Sequence, residues 1–284
     1  MKTNRLRIVV MSIVLVIWTA LPIGSPANNE QKDENPLRIV CATTLISSVM
    51  EAVGGEDISV HILVPSGMCP GHFDITPGEA KNLREADLIL MHGFEKFLDG
   101  VEFSKQTELI KMVTKGNWMI PDVHKKAVVE AERLLSERLP TRAEFFKNNA
   151  KRYIAGIDEA TKQVLNNMKE LENTPVLSSD MNGEFVEWLG LRVIGVFPRD
   201  EDVSLKAMSD IVSKGRTNGV QLIVDNVQSS GKTGRVIANE LKIQLVIISN
   251  FPEPNKESGA TADYINTLLM NSRIVRQKLS ESGE

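Results

Sequence analysis

Residues 37–64 of the chain read LRIVCATTLISSVMEAVGGEDISVHILV, and this stretch decides the fold class. Residues 37–42 form a short apolar run of the kind that builds a buried parallel strand. Apolar residues then recur every four positions over 43–53, which predicts an amphipathic helix that ends at two glycines. Residues 58–64 form a second apolar run. Strand, helix and strand in this order predict a right-handed crossover between parallel strands.

The same alternation of strand and helix continues along the chain. Thr76-Pro77 begins a predicted helix over 78–85, and a strand over 87–91 follows it. Short apolar runs in the second half predict strands over 175–178, 191–196, 220–225 and 243–248. Helical patterns accompany these strands over 183–189, 205–217, 231–241 and 261–279.

The middle of the chain has a different pattern. Residues 122–171 are helical in character and rich in Ala, Glu, Lys and Arg, with Pro140 as the one break. Residues 142–171 predict a single helix, about 45 Å long at 1.5 Å per residue. We therefore expect an α/β protein of two lobes, each with a central, mainly parallel sheet and flanking helices, joined by a long rigid backbone helix.

The expected organisation has five parts. Residues 1–27 form a signal peptide or an N-terminal anchor, and 28–36 form a polar tether. The N-terminal lobe covers 37–121, the helical connector with its backbone helix covers 122–174, and the C-terminal lobe covers 175–284.

The first 27 residues predict export. Three basic residues precede an uncharged apolar run over 8–23, and Ser25 and Ala27 fit a small-residue cleavage site. The run is short for a helix that spans a membrane, although tilting or thinning accommodates short helices, so a retained anchor is the alternative. No cysteine lies near this point, so a lipid anchor on cysteine is not expected. We expect an extracytoplasmic protein, in the periplasm or at the cell surface.

Composition excludes several classes of protein. Hydrophobic residues make up 42% and charged residues 25% of the chain, which excludes disorder and a collagen-like fibre. Aromatic residues are only 5% and the net charge is -4, so no nucleic-acid partner is expected. Loss of residues 1–27 removes three basic and no acidic residues, leaving 30 basic against 37 acidic, or -7. Two cysteines exclude a disulfide-stapled small fold and a four-cysteine zinc ribbon.

The loop after the second predicted strand carries a metal-ligand pattern, Cys69-Pro-Gly-His72. Zinc and copper select thiolate and imidazole, and the Pro-Gly turn directs both side chains toward one point. Two ligands do not complete a tetrahedral site, so a turn with a buried thiol is the alternative. Cys41, inside the first strand, is interpreted as a small buried hydrophobe. A disulfide to Cys69 and metal binding by both cysteines are its other interpretations.

Oxygen-bearing side chains follow three predicted strands of the second lobe. They lie in residues 178–182 (SSDMN), 225–228 (DNVQ) and 249–250 (SN), and Ser179, Asp180, Asp225 and Asn250 are the candidates among them. Ligands of open α/β sheets bind beyond the carboxyl ends of the strands, so these residues predict one wall of a cation or polar-ligand site. Helix capping is the alternative for each of them. His92 and Met68 are expected to line the opposite wall of the cleft. The alternative for His92 is a histidine whose hydrogen bonds are made within the turn, and the alternative for Met68 is ordinary packing.

Five motifs in order along residues 37–279 resemble those of the ZnuA/TroA-like proteins, the ABC-transporter solute-binding proteins that carry zinc or manganese. They are 39–44 (IVCATT), 63–67 (LVPSG) leading through His72 to Thr76-Pro77, 86–93 (ADLILMHG), 189–196 (LGLRVIGV) and 220–225 (VQLIVD). The resemblance implies two lobes on a rigid backbone helix, and a zinc or manganese ion in the cleft between them. It also implies a membrane permease and an ATPase as partners.

The ligands that the resemblance implies are only partly present. His72 matches the first histidine of the family. The second histidine, two residues before a tryptophan, falls at Gly116, because Trp118 holds the tryptophan position and is expected to line the cleft. There is also no histidine-rich loop. The departures predict that the metal chemistry is altered or lost, and Cys69, which the family pattern does not require, is the candidate to compensate.

The second lobe departs from the family in the same way. The third family ligand, a histidine or glutamate, falls at Ser179 with Asp180 beside it, and the last, an acid, falls near Ser249-Asn250. The predicted ligands are therefore His72 and Cys69 from the first lobe, and Asp180, Asp225 and Asn250 from the second.

We therefore expect an exported receptor of an ABC importer that captures a transition-metal ion and presents it to a permease; it is not expected to be an enzyme. Its membrane contact is through the transporter or an uncleaved anchor. The alternative is the same fold holding a metal chelate or an organic solute without direct metal ligation. A hydrolase with Ser179 as its nucleophile is a further alternative. The chain lacks the G-x-S-x-G motif, which argues against it.

Overall fold

The computed structural model describes residues 35–255 and 259–281. The predicted signal or anchor over 1–27 and most of the tether over 28–36 lie outside the described residues.

The first lobe contains a four-stranded sheet in which all neighbouring strands are parallel. Its strands are β1 (Leu37–Thr43), β2 (Ile58–Val64), β3 (Leu88–Met91) and β4 (Glu108–Lys111), in the order β2-β1-β3-β4. Helices α1 (Thr44–Gly54) and α2 (Pro77–Glu85) lie between its strands along the chain. The sequence did not predict β4, because its four residues ELIK lie mostly exposed at a sheet edge and show no alternation of apolar and polar residues.

The second lobe repeats this architecture. Its strands are β5 (Pro175–Ser179), β6 (Arg192–Phe197), β7 (Leu222–Asn226) and β8 (Gln244–Ile248), all parallel, in the order β6-β5-β7-β8. Its helices are α5 (Gly183–Trp188), α6 (Leu205–Thr217), α7 (Lys232–Leu241) and α8 (Tyr264–Glu281). A short antiparallel pair, β9 (Glu253–Asn255) and β10 (Ala260–Asp263), precedes α8 and was not predicted.

Two helices connect the lobes. They are α3 (Pro121–Arg138) and α4 (Ala143–Met168). The prediction of one helix over 142–171 was too long: α4 has 26 residues, about 39 Å, and 3-10 turns flank it at Pro140–Arg142 and Lys169–Leu171. Proline lacks the N–H that would continue the helical bonding, so the chain tightens into a turn at Pro140.

One hydrophobic core runs through both lobes. Buried residues of both sheets, such as Cys41 of β1 and Val224 of β7, belong to the same cluster as Phe146, Ile157 and Val164 of α4. Helices α1, α3 and α8 contribute to this cluster as well. The two sheets therefore share apolar contacts along α4, the long helix that the sequence predicts between them.

A buried ion pair fixes the start of α4 to the first lobe. Arg142 Nε donates to Asp57 Oδ2 over 2.7 Å, and the two side chains are only 18% and 8% exposed. The guanidinium also lies 4.4 Å from the ring centroid of Phe145. Removing one member of such a pair leaves an uncompensated buried charge.

Across residues 35–255 and 259–281, no helix combines the length and the apolar character that a membrane span requires.

Candidate functional site

The two lobes touch through the loops at the carboxyl ends of their strands. Ser66, after β2, donates to Glu253 Oε2 over 2.8 Å. Gln228, after β7, donates to the carbonyl of Ser66. On the second lobe, Glu253 Oε1 accepts from the hydroxyl of Ser249 over 2.7 Å. The carboxyl ends of both sheets therefore line one interlobe cleft, as open α/β sheets predict.

Cys69 and His72 both face the second lobe from the loop after β2. A 3-10 turn over Pro70–His72 shapes this loop, and the His72 N–H donates to the Cys69 carbonyl over 3.0 Å. His72 Nε2 lies 3.4 Å from Glu201 Oε1. Cys69 Sγ lies 3.6 Å from Nη1 of Arg199. Each of the two side chains thus has a charged partner on the opposite lobe.

The two cysteines are not joined. Both thiols are free: Cys41 is fully buried in β1, whereas Cys69 is half-buried in its loop. Burial raises the pKa of the Cys41 thiol well above its usual value, and the charge of Glu51 adds to this effect. The disulfide interpretation does not describe this structure, and Cys41 packs as a small hydrophobe.

A pocket of about 410 Å³ lies between the lobes beside these contacts. Its walls include His72 from the first lobe and Arg199, Asp200, Gln228 and Lys232 from the second. Asp200 is held at the start of α7, where its carboxylate accepts from the backbone and hydroxyl of Thr233 over 2.8 and 2.7 Å. Burial opposes ionisation of Asp200, but these bonds, one from Ser230 and the charge of Lys232 hold its pKa below the ordinary value.

Asp225 is a buried carboxylate at the end of β7, with 1% exposure. Its Oδ1 accepts from the Asn226 N–H over 2.8 Å, and its Oδ2 accepts from the Gly234 N–H over 3.1 Å. Burial raises the pKa of Asp225, the two hydrogen bonds lower it, and the charges of Asp200 and Asp180 raise it further, for a net increase. Both oxygens therefore have backbone partners, and the bond to the Gly234 N–H ties β7 to α7.

Asp180 and Asn250 lie at the rims of the other two strands. Asp180 is exposed, and its N–H donates to the Phe197 carbonyl over 2.9 Å. The Asn250 N–H donates to Gln228 Oε1 over 3.2 Å. Among the described residues, no group of three or more His, Cys, Asp and Glu side chains is placed to hold a metal ion in this conformation.

Buried polar side chains meet at the ends of β5 and β7. Ser179 is 2% exposed, and its hydroxyl accepts from Asn226 Nδ2 over 3.1 Å. Asn182 is fully buried, and neither polar atom of its side chain has a hydrogen-bond partner within the described part of the chain. Asn182 belongs to the oxygen-donor stretch 178–182 that the sequence analysis predicts, but it was not among the chosen ligands.

Gly116, where the family would have its second histidine, is part of a lobe-to-lobe contact. Its φ is +99°, a conformation that favours glycine. The next residue, Asn117, donates through its N–H to Glu184 Oε2 over 2.9 Å and through Nδ2 to the Met181 carbonyl over 3.1 Å. The glycine therefore suits a turn that carries this contact.

His92 and Trp118 pack against each other. Their ring centroids are 4.6 Å apart, edge to face, and His92 Nε2 is 2.8 Å from the Thr43 hydroxyl. Burial lowers the pKa of His92 to about 4, so its imidazole is neutral at pH 7. Burial likewise lowers the pKa of His124, in α3, to about 3 despite a backbone hydrogen bond that opposes the shift. Met68, by contrast, is 41% exposed in the cleft loop.

A family model described as zinc-uptake complex component A, periplasmic, matches residues 39–277. The chain belongs to this family.

Relatives and solved structures agree with this assignment. The manganese-binding lipoprotein MntA of Bacillus subtilis is 24% identical over 229 residues, covering 71% of this chain and 74% of that protein. The manganese ABC transporter substrate-binding lipoprotein PsaA of Streptococcus mitis is 21% identical, with 99% of each chain covered.

A crystal structure of ZnuA has a TM-score of 0.71 at 16% identity and covers 86% of this chain and all of that one. A manganese-bound periplasmic metal-binding protein from Candidatus Liberibacter asiaticus also has a TM-score of 0.71 at 16% identity, covering 85% of this chain and 99% of that one. At these identities the structures show a shared fold.

The structure brings residues to this family member's cleft that the sequence analysis missed. Arg199 and Glu201 face the first lobe, and Glu253 bridges the lobes together with Gln228, which lies in the predicted oxygen-donor stretch 225–228. The signal for the first two was the charged run Arg199-Asp-Glu-Asp202, which follows Pro198 at the carboxyl end of β6.

Proposed function

We propose that this chain is the extracytoplasmic receptor of an ABC importer, and that it captures a transition-metal ion between its lobes for a permease and its ATPase. The observation that carries the proposal is the His72–Glu201 approach, in which two metal-ligating side chains meet from opposite lobes at 3.4 Å. A receptor signals occupancy only if its ligand binds the closed form better than the open form, so both lobes must contribute contacts. Membership in a family of uptake-complex components supports the role in transport.

The other predicted ligands have unequal parts in this proposal. Cys69 supplies a soft donor beside His72, and Asp180 supplies an exposed carboxylate on the second lobe. Asp225 has a structural role beside the site and does not ligate the ion directly, because two backbone N–H groups already donate to its oxygens. Asn250 lies at the rim, where Gln228 accepts from its backbone.

Names of relatives and the chain's own charge both favour a cation as cargo. The family description names zinc, and the two relatives are named for manganese. Removal of residues 1–27 changes the net charge from -4 to -7 (30 basic against 37 acidic residues), which suits a cation. The proposal therefore places the protein outside the cytoplasmic membrane with zinc or manganese as its cargo.

A second candidate is the same receptor with a metal chelate or an organic solute as cargo. The pocket of about 410 Å³ favours it, because this volume falls in the range of small-molecule sites. Arg199 and Lys232 in its walls suit carboxylates of such a solute.

Metal retention and thermal stability test the main proposal. Purified protein is dialysed against Zn²⁺ or Mn²⁺, and bound metal and the melting temperature are measured. Ligand at a hundredfold excess over its Kd stabilises the folded state by about 2.7 kcal/mol. His72→Ala should lose this stabilisation. His61→Ala is the matched control, because His61 pairs with Glu79 away from the cleft. Retention of neither metal, and no rise in melting temperature with either, would refute the proposal.

A further inference from the structure

The guanidinium of Arg199 lies where side chains of both lobes meet. Its Nη1 is 3.6 Å from Cys69 Sγ and 3.5 Å from Glu201 Oε1. Its Nη2 is 3.2 Å from Asp202 Oδ2. One positive group thus contacts a thiol from the first lobe and two carboxylates from the second.

The same oxygen of Glu201 also faces a histidine. His72 Nε2 is 3.4 Å from Glu201 Oε1. Nitrogen and oxygen ligands lie 2.0–2.2 Å from a zinc ion, so two of them at a tetrahedral angle are about 3.4 Å apart. His72 and Glu201 therefore have the separation of two ligands of one tetrahedral metal ion.

We propose that Cys69, His72 and Glu201 form a three-ligand metal site, and that the Arg199 guanidinium is a tethered cation that occupies it in the absence of metal. The inference rests on the proposed function and specifies its site. Glu201 is outside the ligand set predicted from the sequence, and Arg199 has no counterpart there.

The proposal accounts for the lack of a three-ligand cluster among the described residues. Arg199 contacts both the thiol of Cys69 and the carboxylate of Glu201, so these two donors meet through the guanidinium. When metal enters, Arg199 turns fully to Asp202, which it already contacts. A protonated Cys69 thiol releases its proton to solvent as the thiolate binds the metal. A water molecule completes the four positions of the ion.

The donor set also predicts which ion is preferred. Thiolate and imidazole favour zinc, whereas manganese favours carboxylate, carbonyl and water ligands. Zinc should therefore bind this chain more tightly than manganese, although several relatives are named for manganese.

Zinc affinity of Arg199 variants tests the tethered cation. Arg199→Gln removes a positive charge that lies within 4 Å of two donors, so zinc should bind at least about tenfold more tightly. Arg199→Lys keeps the charge and should give a smaller gain. Arg216→Gln is the matched control. Arg216 is an exposed arginine of α6, and among the described residues the one hydrogen-bond partner of its side chain is the Glu240 carbonyl. Competition against a chromogenic zinc chelator measures all four proteins.

The ligands are tested in the Arg199→Gln background. Cobalt in place of zinc should give a thiolate-to-metal absorption band in the near ultraviolet, which Cys69→Ser should abolish. Glu201→Gln should lower zinc affinity at least about tenfold, which is the loss of one charged ligand. Circular dichroism checks that each variant is folded.

The outcomes separate this inference from the proposed function. Zinc that binds wild-type protein with an affinity unchanged by Arg199→Gln, together with no cobalt thiolate band in the Arg199→Gln protein, would overturn the inference and leave the metal receptor intact. Failure of wild type and all variants to bind any metal would refute both. Tighter binding by Arg199→Gln together with loss of the band in Cys69→Ser would support the site.

Discussion

Gly234→Ala should destabilise the protein through the buried carboxylate of Asp225. A Cβ at Gly234 would lie 2.5 Å from Asp225 Oδ2, 3.0 Å from its Cβ and 3.1 Å from its Cγ. Because Asp225 is 1% exposed, its carboxylate has no solvent into which to move. Displacement of Oδ2 breaks its charge-assisted bond to the Gly234 N–H, at about 1.5–3 kcal/mol. Crowding in the packed interior adds about 1–3 kcal/mol.

Better helix propensity offsets part of this loss. Alanine in place of glycine within α7 returns about 1 kcal/mol. The net decrease in the free energy of unfolding should be about 3 kcal/mol, or about 6–12 °C in melting temperature for a domain of this size. Urea unfolding followed by circular dichroism measures it. Gly67→Ala is the control, because a Cβ there meets no atom within 4 Å. A Gly234→Ala protein as stable as the Gly67→Ala protein would refute the structural role of Asp225.

Three further predictions concern stability and thiol chemistry. Arg142→Ala should lower the unfolding free energy by about 3 kcal/mol because it leaves a buried carboxylate unpaired. Arg133→Ala, which removes an exposed ion-pair partner, should lower stability much less, and equal urea midpoints for the two variants would contradict this difference. Because burial lowers the pKa of His124 to about 3, stability present above pH 6.5 declines as the pH falls toward 3. His124→Phe should make the decline between pH 5.5 and pH 4 shallower by about 1.4 kcal/mol per pH unit, and an unchanged slope in urea melts would count against it. A thiol reagent should modify Cys69 in native protein and Cys41 only after unfolding, whereas no reactive thiol before reduction would indicate a disulfide.

The regular elements could be predicted because their signals are local. The apolar run before α1 and the glycine pair after it lie within twenty residues of each other, and the structure has the strand, the helix and the turn there. The Thr76 cap of α2 was predicted in the same way, and its side chain accepts from the Glu79 N–H over 3.2 Å. Strands β4 and β9 were missed because three or four residues at an edge carry too little periodicity.

The partners across the cleft could not be predicted. Arg199 and Cys69 are 130 positions apart, and Ser66 and Glu253 are 187 apart. Their contact depends on how α4 and the shared core orient one sheet toward the other, and hydrophobic packing of this kind leaves no local pattern near either residue.

The sequence by itself thus determined the α/β alternation, the helical connector and the loop that presents Cys69 and His72. These follow from short-range rules of periodicity, caps and turns. Only the tertiary structure decided that the connector is shorter than predicted, that Asp225 is buried, and that Arg199 and Glu201 meet the first lobe. Burial and long-range contact are properties of the packed molecule, because each depends on surfaces that come together only when the whole chain has folded.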